Sequence, residues 1–179
     1  MAPSVTRIAL VTGANKGMGL EIARQLGKSG LRVLVGARNL ALGEAAAERL
    51  RGEGVDTRYV QVDLTAPATI TAAAADIESQ EGRLDILVNN AGVSTPGDGS
   101  PGAASLEAVR RTFDTNFFGS FAVTRAMLPL LTRSVSGRIV NVSSGLGSLT
   151  QIGDPTSEFA TFRFIGYGAS KAALNMLTV

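Results

Sequence analysis

Ile8-Ala9-Leu10-Val11-Thr12-Gly13-Ala14-Asn15-Lys16-Gly17-Met18-Gly19 joins a short apolar run directly to a glycine-rich turn, and the turn opens onto a helical pattern over Met18–Ser29. In such a junction one glycine lets the chain turn sharply off a strand, a second lets backbone approach a diphosphate, and a third lets the helix pack on the sheet. The helix start then aims unpaired N–H groups and the positive end of its dipole at the same place. The spacing here is G-x-x-x-G-x-G rather than the generic G-x-G-x-x-G, and three glycines near a turn also serve as plain strand-to-helix punctuation. The remaining segments carry the choice.

Short apolar runs at Ile8–Val11, Leu31–Val35, Thr57–Val62, Leu84–Val88 and Arg138–Val142 read as strands. Helical spacing fills the intervals at Leu40–Gly52, Pro67–Gln80 and Leu106–Arg133, with Gly30, Gly54 and Gly82 as stops and Ser94–Ala104 as a loop. Strands alternating with helices predict an α/β protein: a doubly wound parallel sheet, helices on both faces, in one domain over residues 1–179. Ala169–Val179 has the apolar spacing of a helix but no stop signal, so the chain reads as cut mid-helix or as fraying at an ordinary terminus.

Composition narrows the chemistry. The net charge of +2 is spread along the chain, without the basic stripe of a nucleic-acid binder or a polybasic membrane anchor. Met1–Arg7 is short and polar, and the apolar run after it is too brief for a signal segment or a membrane span, which predicts a soluble, cytoplasmic protein. With no cysteine there is no thiolate metal site, and no metal is expected; with no histidine, His-based acid/base chemistry is excluded. Proton transfer falls to Tyr, Lys, Asp or Glu, and the only tyrosines are Tyr59 and Tyr167.

Tyr167 and Lys171 stand at i and i+4, neighbours on one helical face. An adjacent cation favours phenolate and lowers a tyrosine from its reference pKa of about 10 toward working pH. Such a phenol can give its proton to a carbonyl oxygen; alone, the pair also describes an amphipathic helix with a half-buried Tyr and a solvated Lys.

Taken together, the glycine turn, Asp63, Asn89-Asn90-Ala91-Gly92, Asn116, Ser143-Ser144 and Tyr167-x-x-x-Lys171 resemble the short-chain dehydrogenase/reductase family over essentially the whole chain. The resemblance implies a Rossmann-like fold with strand order 3-2-1-4-5 and hydride exchange between a nicotinamide cofactor and a carbonyl or secondary alcohol. It makes Tyr167 the general acid/base and gives Lys171 the nicotinamide ribose. Ser144, in the pattern S-x-x-G, would bond the substrate carbonyl, with Ser143 turned into the structure. Asn116 would anchor a water behind the lysine; a helix asparagine satisfied by backbone is the alternative. Cofactor contacts fall to Gly13, Asn15, Lys16, Gly17, Met18 and Gly19, to Asp63 and Leu64 beside the adenine, and to Asn90, Ala91 and Gly92. Asp63 could equally cap the helix near Pro67.

NAD-preferring sites place an acid about twenty residues beyond the glycines, whereas an arginine there accommodates the 2′-phosphate of NADP. Ile22–Gly43 contains no acid, the second strand ends Gly36-Ala37-Arg38, and Lys16 adds charge, so NADP(H) is expected with Arg38 gripping the phosphate. The interval from Ser144 to Tyr167 resembles the longer inserts of carbonyl-reductase-like members. Its phenylalanines would wall an apolar pocket for a lipophilic aldehyde or ketone, or serve as plain core.

Family members continue with two more strands and a substrate loop. The chain is therefore expected to be either a portion of a longer protein or a naturally short product with one sheet edge exposed. With that, self-association is left open, and a non-catalytic dinucleotide-binding module is the alternative to an active oxidoreductase.

Overall fold

The computed structural model describes residues 6–179, so the polar lead-in lies outside the described residues up to position 5. These residues form two compact units: the chain up to Ala91 together with Ala122–Val140, and Gly92–Phe121 together with Asn141–Val179.

In the first unit the predicted alternation is realised as β1 (Ile8–Thr12), α1 (Gly17–Lys28), β2 (Arg32–Ala37), α2 (Leu40–Gly52), β3 (Thr57–Gln61), α3 (Pro67–Glu81), β4 (Ile86–Asn89) and, after a long excursion, β5 (Arg138–Asn141). The sheet order is β3-β2-β1-β4-β5, as expected, and β1 pairs parallel with both β2 and β4. Every residue of β1 is buried, as a central parallel strand covered on both faces requires. Leu10, Leu34, Leu84 and Leu87 meet Ile77 of α3 and Met127 in the core, each contributing about 2 kcal/mol through removal from water. Gly82 ends α3 in the left-handed region at φ 75°, where its N–H satisfies the carbonyl of Glu78.

The expected continuous helix over Leu106–Arg133 is three pieces. α4 (Leu106–Phe113) is capped by Ser105, whose Oγ accepts from the Ala108 N–H at 3.1 Å. A π-helical segment, Asp114–Gly119, follows, and then α5 (Ser120–Leu131).

The second unit also carries a 3₁₀ turn at Gly145–Gly147, the short α6 (Leu149–Gly153) and α7 (Ile165–Met176). α7 starts four residues ahead of the expected Ala169 and does not run to Val179. It closes at Met176, where the Leu177 N–H donates to Ala173 O at 3.2 Å and the Thr178 N–H to Asn175 O at 3.0 Å. α7 packs against α4 and the 3₁₀ turn. No helix among the described residues is long and apolar enough to cross a membrane.

Candidate active site

In the first unit the residues expected at a cofactor gather at the carboxyl ends of β1 to β4, the end at which open parallel sheets bind ligands. Gly13 has φ +66°, and a Cβ there would lie 2.9 Å from Ala91 Cα; at Gly19 a Cβ would meet Asn90 Nδ2 at 2.4 Å and Gly13 O at 2.5 Å. Gly17 differs. Its φ is +56° but nothing lies within 4 Å of its Cβ position, so the conformation excludes a side chain while the space stays open. Asn15 and Met18 lie in the same turn, and Lys16 is the exposed N-cap of α1, with no side chain capping the first N–H groups. A glycine cradle facing an uncapped helix start suits a diphosphate.

Asn90 ties the end of β4 to β1. Its Nδ2 donates to Thr12 O at 2.8 Å, and the N–H groups of Asn90 and Ala91 both donate to Thr12 Oγ1 at 3.1 Å. The Ala14 N–H donates to Gly36 O at 3.0 Å, seating the glycine turn beside the end of β2; Arg38, two residues on, is exposed and forms no ion pair among the described residues. Asp63 does not cap α3. Its Oδ1 accepts from the Thr65 N–H at 2.9 Å and the Thr65 hydroxyl at 2.8 Å, closing a local turn, while Ala66 is the N-cap and Pro67 enters at the first turn. Leu64 beside it is buried.

The second unit brings Gly92, Asn116, Tyr167 and Lys171 together, and it also carries Ser144. Lys171 is 4% exposed, and its Nζ donates to Val142 O at 2.7 Å and lies 5.8 Å from the Tyr167 ring centre. Burial holds the ammonium below the ordinary lysine range, because desolvation disfavours the charged form. A Cβ on Gly92 would stand 3.3 Å from Asn116 Oδ1 and 3.5 Å from Lys171 Nζ, leaving both polar groups against bare backbone.

Asn116 is fully buried at the centre of the π segment. Its Oδ1 accepts from the Val93 N–H at 2.8 Å, and its Nδ2 donates to Val93 O at 2.9 Å and to Ser170 Oγ at 3.0 Å. Ser170 in turn donates to Tyr167 O at 2.8 Å. The amide side chain is thus committed to clamping a loop and α7. A wider helical turn where a buried polar side chain must reach two neighbours is a recurrent feature of functional sites.

Ser144 caps the 3₁₀ turn, its Oγ accepting from the Leu146 N–H at 3.2 Å, which leaves its O–H to donate elsewhere. It is half-buried, and Ser143, expected to turn into the structure, is exposed instead. Gly147 lies against the backbone of α7, its Cβ position 2.8 Å from the Lys171 carbonyl carbon. In the insert, Phe162 and Phe164 help line a cavity of about 330 Å³ with Leu146, Leu149, Ile152 and Ile165, while Phe159 packs against Phe162 at 6.3 Å between ring centres. The residues of α7 that line this cavity are Ile165, Gly168, Ala169 and Ala172, a face separate from the one shared by Tyr167 and Lys171.

The residue missed from the sequence is Asp98. Its Oδ1 accepts from the Gly99 N–H at 2.9 Å and the Gly166 N–H at 2.8 Å, and its Oδ2 accepts from the Tyr167 N–H at 2.8 Å.

Sheet order, glycine turn and the Tyr167–Lys171 helix define a Rossmann-like α/β protein. Residues 7–179 match the family model described as short chain dehydrogenase, and the chain belongs to that family. It is 39% identical over 184 residues to the short-chain dehydrogenase anuI of Penicillium roqueforti, covering 99% of this chain and 72% of that protein. It is also 38% identical over 172 residues to a (+)-neomenthol dehydrogenase of Arabidopsis thaliana, covering 85% and 58% respectively, so the chain spans only part of the length of these relatives. Among solved structures, menthone neomenthol reductase from Mentha piperita superposes with a TM-score of 0.84 at 32% identity, covering 98% of this chain and 84% of that one. A gluconate 5-dehydrogenase from Burkholderia cenocepacia was solved with NADP and tartrate (TM-score 0.83, 30% identity, 96% and 63% coverage). A short chain dehydrogenase from Burkholderia phymatum was solved with NAD (0.83, 25%, 97% and 58%).

Proposed function

We propose that this chain is an NADP(H)-dependent oxidoreductase acting on a small carbonyl compound or the corresponding secondary alcohol, with Tyr167 as general acid/base. The observation that carries the reading is the buried Lys171 ammonium on the same face of α7 as Tyr167, held by the Val142 carbonyl. A lysine kept out of water without a carboxylate partner is costly, and the cost is reasonable where the charge serves chemistry.

When bound, the nicotinamide supplies or accepts a hydride at carbon. Gly13, Asn15, Lys16, Gly17, Met18 and Gly19 would hold its diphosphate, with the turn and the uncapped start of α1 as cradle. Asp63, Leu64, Asn90 and Ala91 would flank the adenine side, and Gly92 would let backbone approach the ribose. Arg38 and Lys16 favour the 2′-phosphate of NADP, supported by their exposure and by the seating of the turn beside β2. Tyr167 donates its phenolic proton to the carbonyl oxygen in reduction and takes it back in oxidation. Lys171 uses one N–H on Val142 and has two more for ribose hydroxyls, and its charge favours the oxyanion left on Tyr167. Ser144 presents a free O–H to the same carbonyl. Asn116, both its Nδ2 hydrogens used on Val93 and Ser170, holds the framework and keeps one lone pair of Oδ1 to offer a water. The names of two relatives, a (+)-neomenthol dehydrogenase and a menthone neomenthol reductase, support a small apolar substrate, whereas the cavity beside Phe162 and Phe164 lies along the other face of α7.

The test is Tyr167→Phe. The full chain should lose turnover of NADPH with a panel of cyclic ketones and aromatic aldehydes, menthone among them, while its NADPH affinity is retained. Turnover at the wild-type rate would refute the proton-transfer role.

A further inference from the structure

Tyr167 is the third residue of α7, so the aim of its phenol depends on how the amino end of that helix is held. The first N–H groups of a helix have no intrahelical acceptors. The N-cap residue of α7, Phe164, offers none. The acceptors come instead from a loop far away in sequence. Asp98 bonds the Gly166 and Tyr167 N–H groups across 68 and 69 residues, and Gly99 O accepts from the Ile165 N–H at 2.9 Å.

The loop is itself pinned. The Asp98 N–H donates to Thr95 O at 3.1 Å, the Thr112 hydroxyl of α4 donates to Thr95 Oγ1 at 2.9 Å, and the Ser105 N–H donates to Gly97 O at 2.9 Å. Gly166 is shaped to this contact, because a Cβ there would lie 3.2 Å from the Asp98 carboxyl carbon and 3.1 Å from Val109 Cα. A carboxylate at a helix amino end also meets the positive end of the dipole. Tyr167 is therefore gripped on both sides: its N–H by Asp98 and its C=O by the Ser170 hydroxyl.

We propose that Asp98 is a positioning residue for the reaction, capping α7 from the loop after β4 and fixing the backbone from which Tyr167 reaches the substrate oxygen. The proposal rests on the oxidoreductase reading above. It is separate from that reading in having a structural signature of its own, the protection of two backbone amides.

The experiment compares Asp98→Ala, Asp98→Asn and, as a control, Asp85→Asn, which weakens the bonds at the amino end of β4 in the first unit and touches no residue of the site. Asp98→Asn keeps one acceptor for the Gly99 and Gly166 N–H groups but turns an NH₂ toward the Tyr167 N–H, so it releases that bond selectively even if the alanine variant folds poorly. Amide hydrogen exchange at Gly166 and Tyr167 should accelerate by about tenfold or more in Asp98→Ala. With NADPH and the ketone and aldehyde panel, kcat should fall about 10- to 100-fold in Asp98→Ala and about 3- to 10-fold in Asp98→Asn, because sub-ångström misplacement of a reacting group is expensive. KM and the NADPH Kd should stay within about twofold.

Asp85→Asn should lower Tm yet keep kcat within about twofold. Faster exchange with unchanged kcat in the Asp98 variants would overturn the positioning role, leaving an ordinary cap. Unchanged exchange would overturn the cap itself. If the wild-type chain turns over none of the panel, the oxidoreductase reading falls and takes the positioning role with it, while the exchange data still decide on the cap.

Discussion

Replacing Gly147 by alanine inserts one methyl group between the 3₁₀ turn and the helix that carries Tyr167 and Lys171. The added Cβ would stand 2.8 Å from the Lys171 carbonyl carbon, 2.9 Å from Lys171 Cβ and 3.0 Å from Ala172 N. Carbon atoms sit comfortably about 3.5–4.0 Å apart, so turn and helix must separate by roughly 0.7 Å at this point. Nothing flexible can absorb the shift, because two of the three contacts are helix backbone. Overpacking of this kind costs about 1–3 kcal/mol of stability. The same displacement, carried to Tyr167 and Lys171, should lower kcat by about tenfold or more, given that 1 Å of misplacement can cost about 100-fold. The assay is steady-state turnover at saturating NADPH together with urea unfolding. Gly52→Ala provides a reference, since nothing lies within 4 Å of its Cβ position and it should leave turnover unchanged. A Gly147→Ala enzyme that loses stability but keeps kcat within about twofold would refute the claim that this contact fixes the catalytic helix.

Two further predictions concern the first unit. Arg38→Asp should weaken NADPH binding by about 10- to 100-fold, the range for losing charge-assisted bonds to phosphate, and affect NADH far less; equal weakening of both, measured calorimetrically, would contradict the assignment of the 2′-phosphate. Asp85 is 4% exposed. Burial alone would raise its pKa, but hydrogen bonds from Ser134, the Ile8 N–H and Arg83 outweigh that and hold it below the ordinary aspartate value. A depressed carboxylate contributes stability above its unfolded pKa of about 3.9 and loses it as pH falls through the folded value. Asp85→Asn should therefore be about 2 kcal/mol less stable than wild type at pH 7, with the gap closing below about pH 4; a gap independent of pH would show that the charge is not what matters.

Most of the fold was legible in the sequence because its signals are local. The five strand runs and their glycine stops give a parallel sheet, whose order comes from the family resemblance, and the glycine turn reads correctly because backbone conformation at Gly13 and Gly17 is set residue by residue. The failures occur where distant groups decide. Apolar spacing through Leu106–Arg133 is continuous, so nothing in it indicates the π segment, which accompanies the reach of Asn116 to Val93 and Ser170. The start of α7 at Ile165 was hidden for the same reason: Phe164 is no capping residue, and the cap is Asp98, a loop acid without helical context. The alternative that Asp63 caps the helix near Pro67 fails because Thr65 offers it two nearer donors. The S-x-x-G pattern singles out Ser144, but that its Oγ also accepts from the Leu146 N–H of the 3₁₀ turn was not legible, because it depends on the local backbone path.

The central claim is that this chain moves a hydride with Tyr167 handling the proton. The most direct measurement uses NADPH carrying deuterium at both hydrogen positions of nicotinamide C4, with wild-type protein and Tyr167→Phe side by side and the product alcohol analysed by mass. The account predicts a single deuterium on the former carbonyl carbon with wild-type protein, and almost no product from Tyr167→Phe despite bound NADPH. Unlabelled product, bound cofactor with no product from wild type, or equal labelled product from both proteins would contradict it.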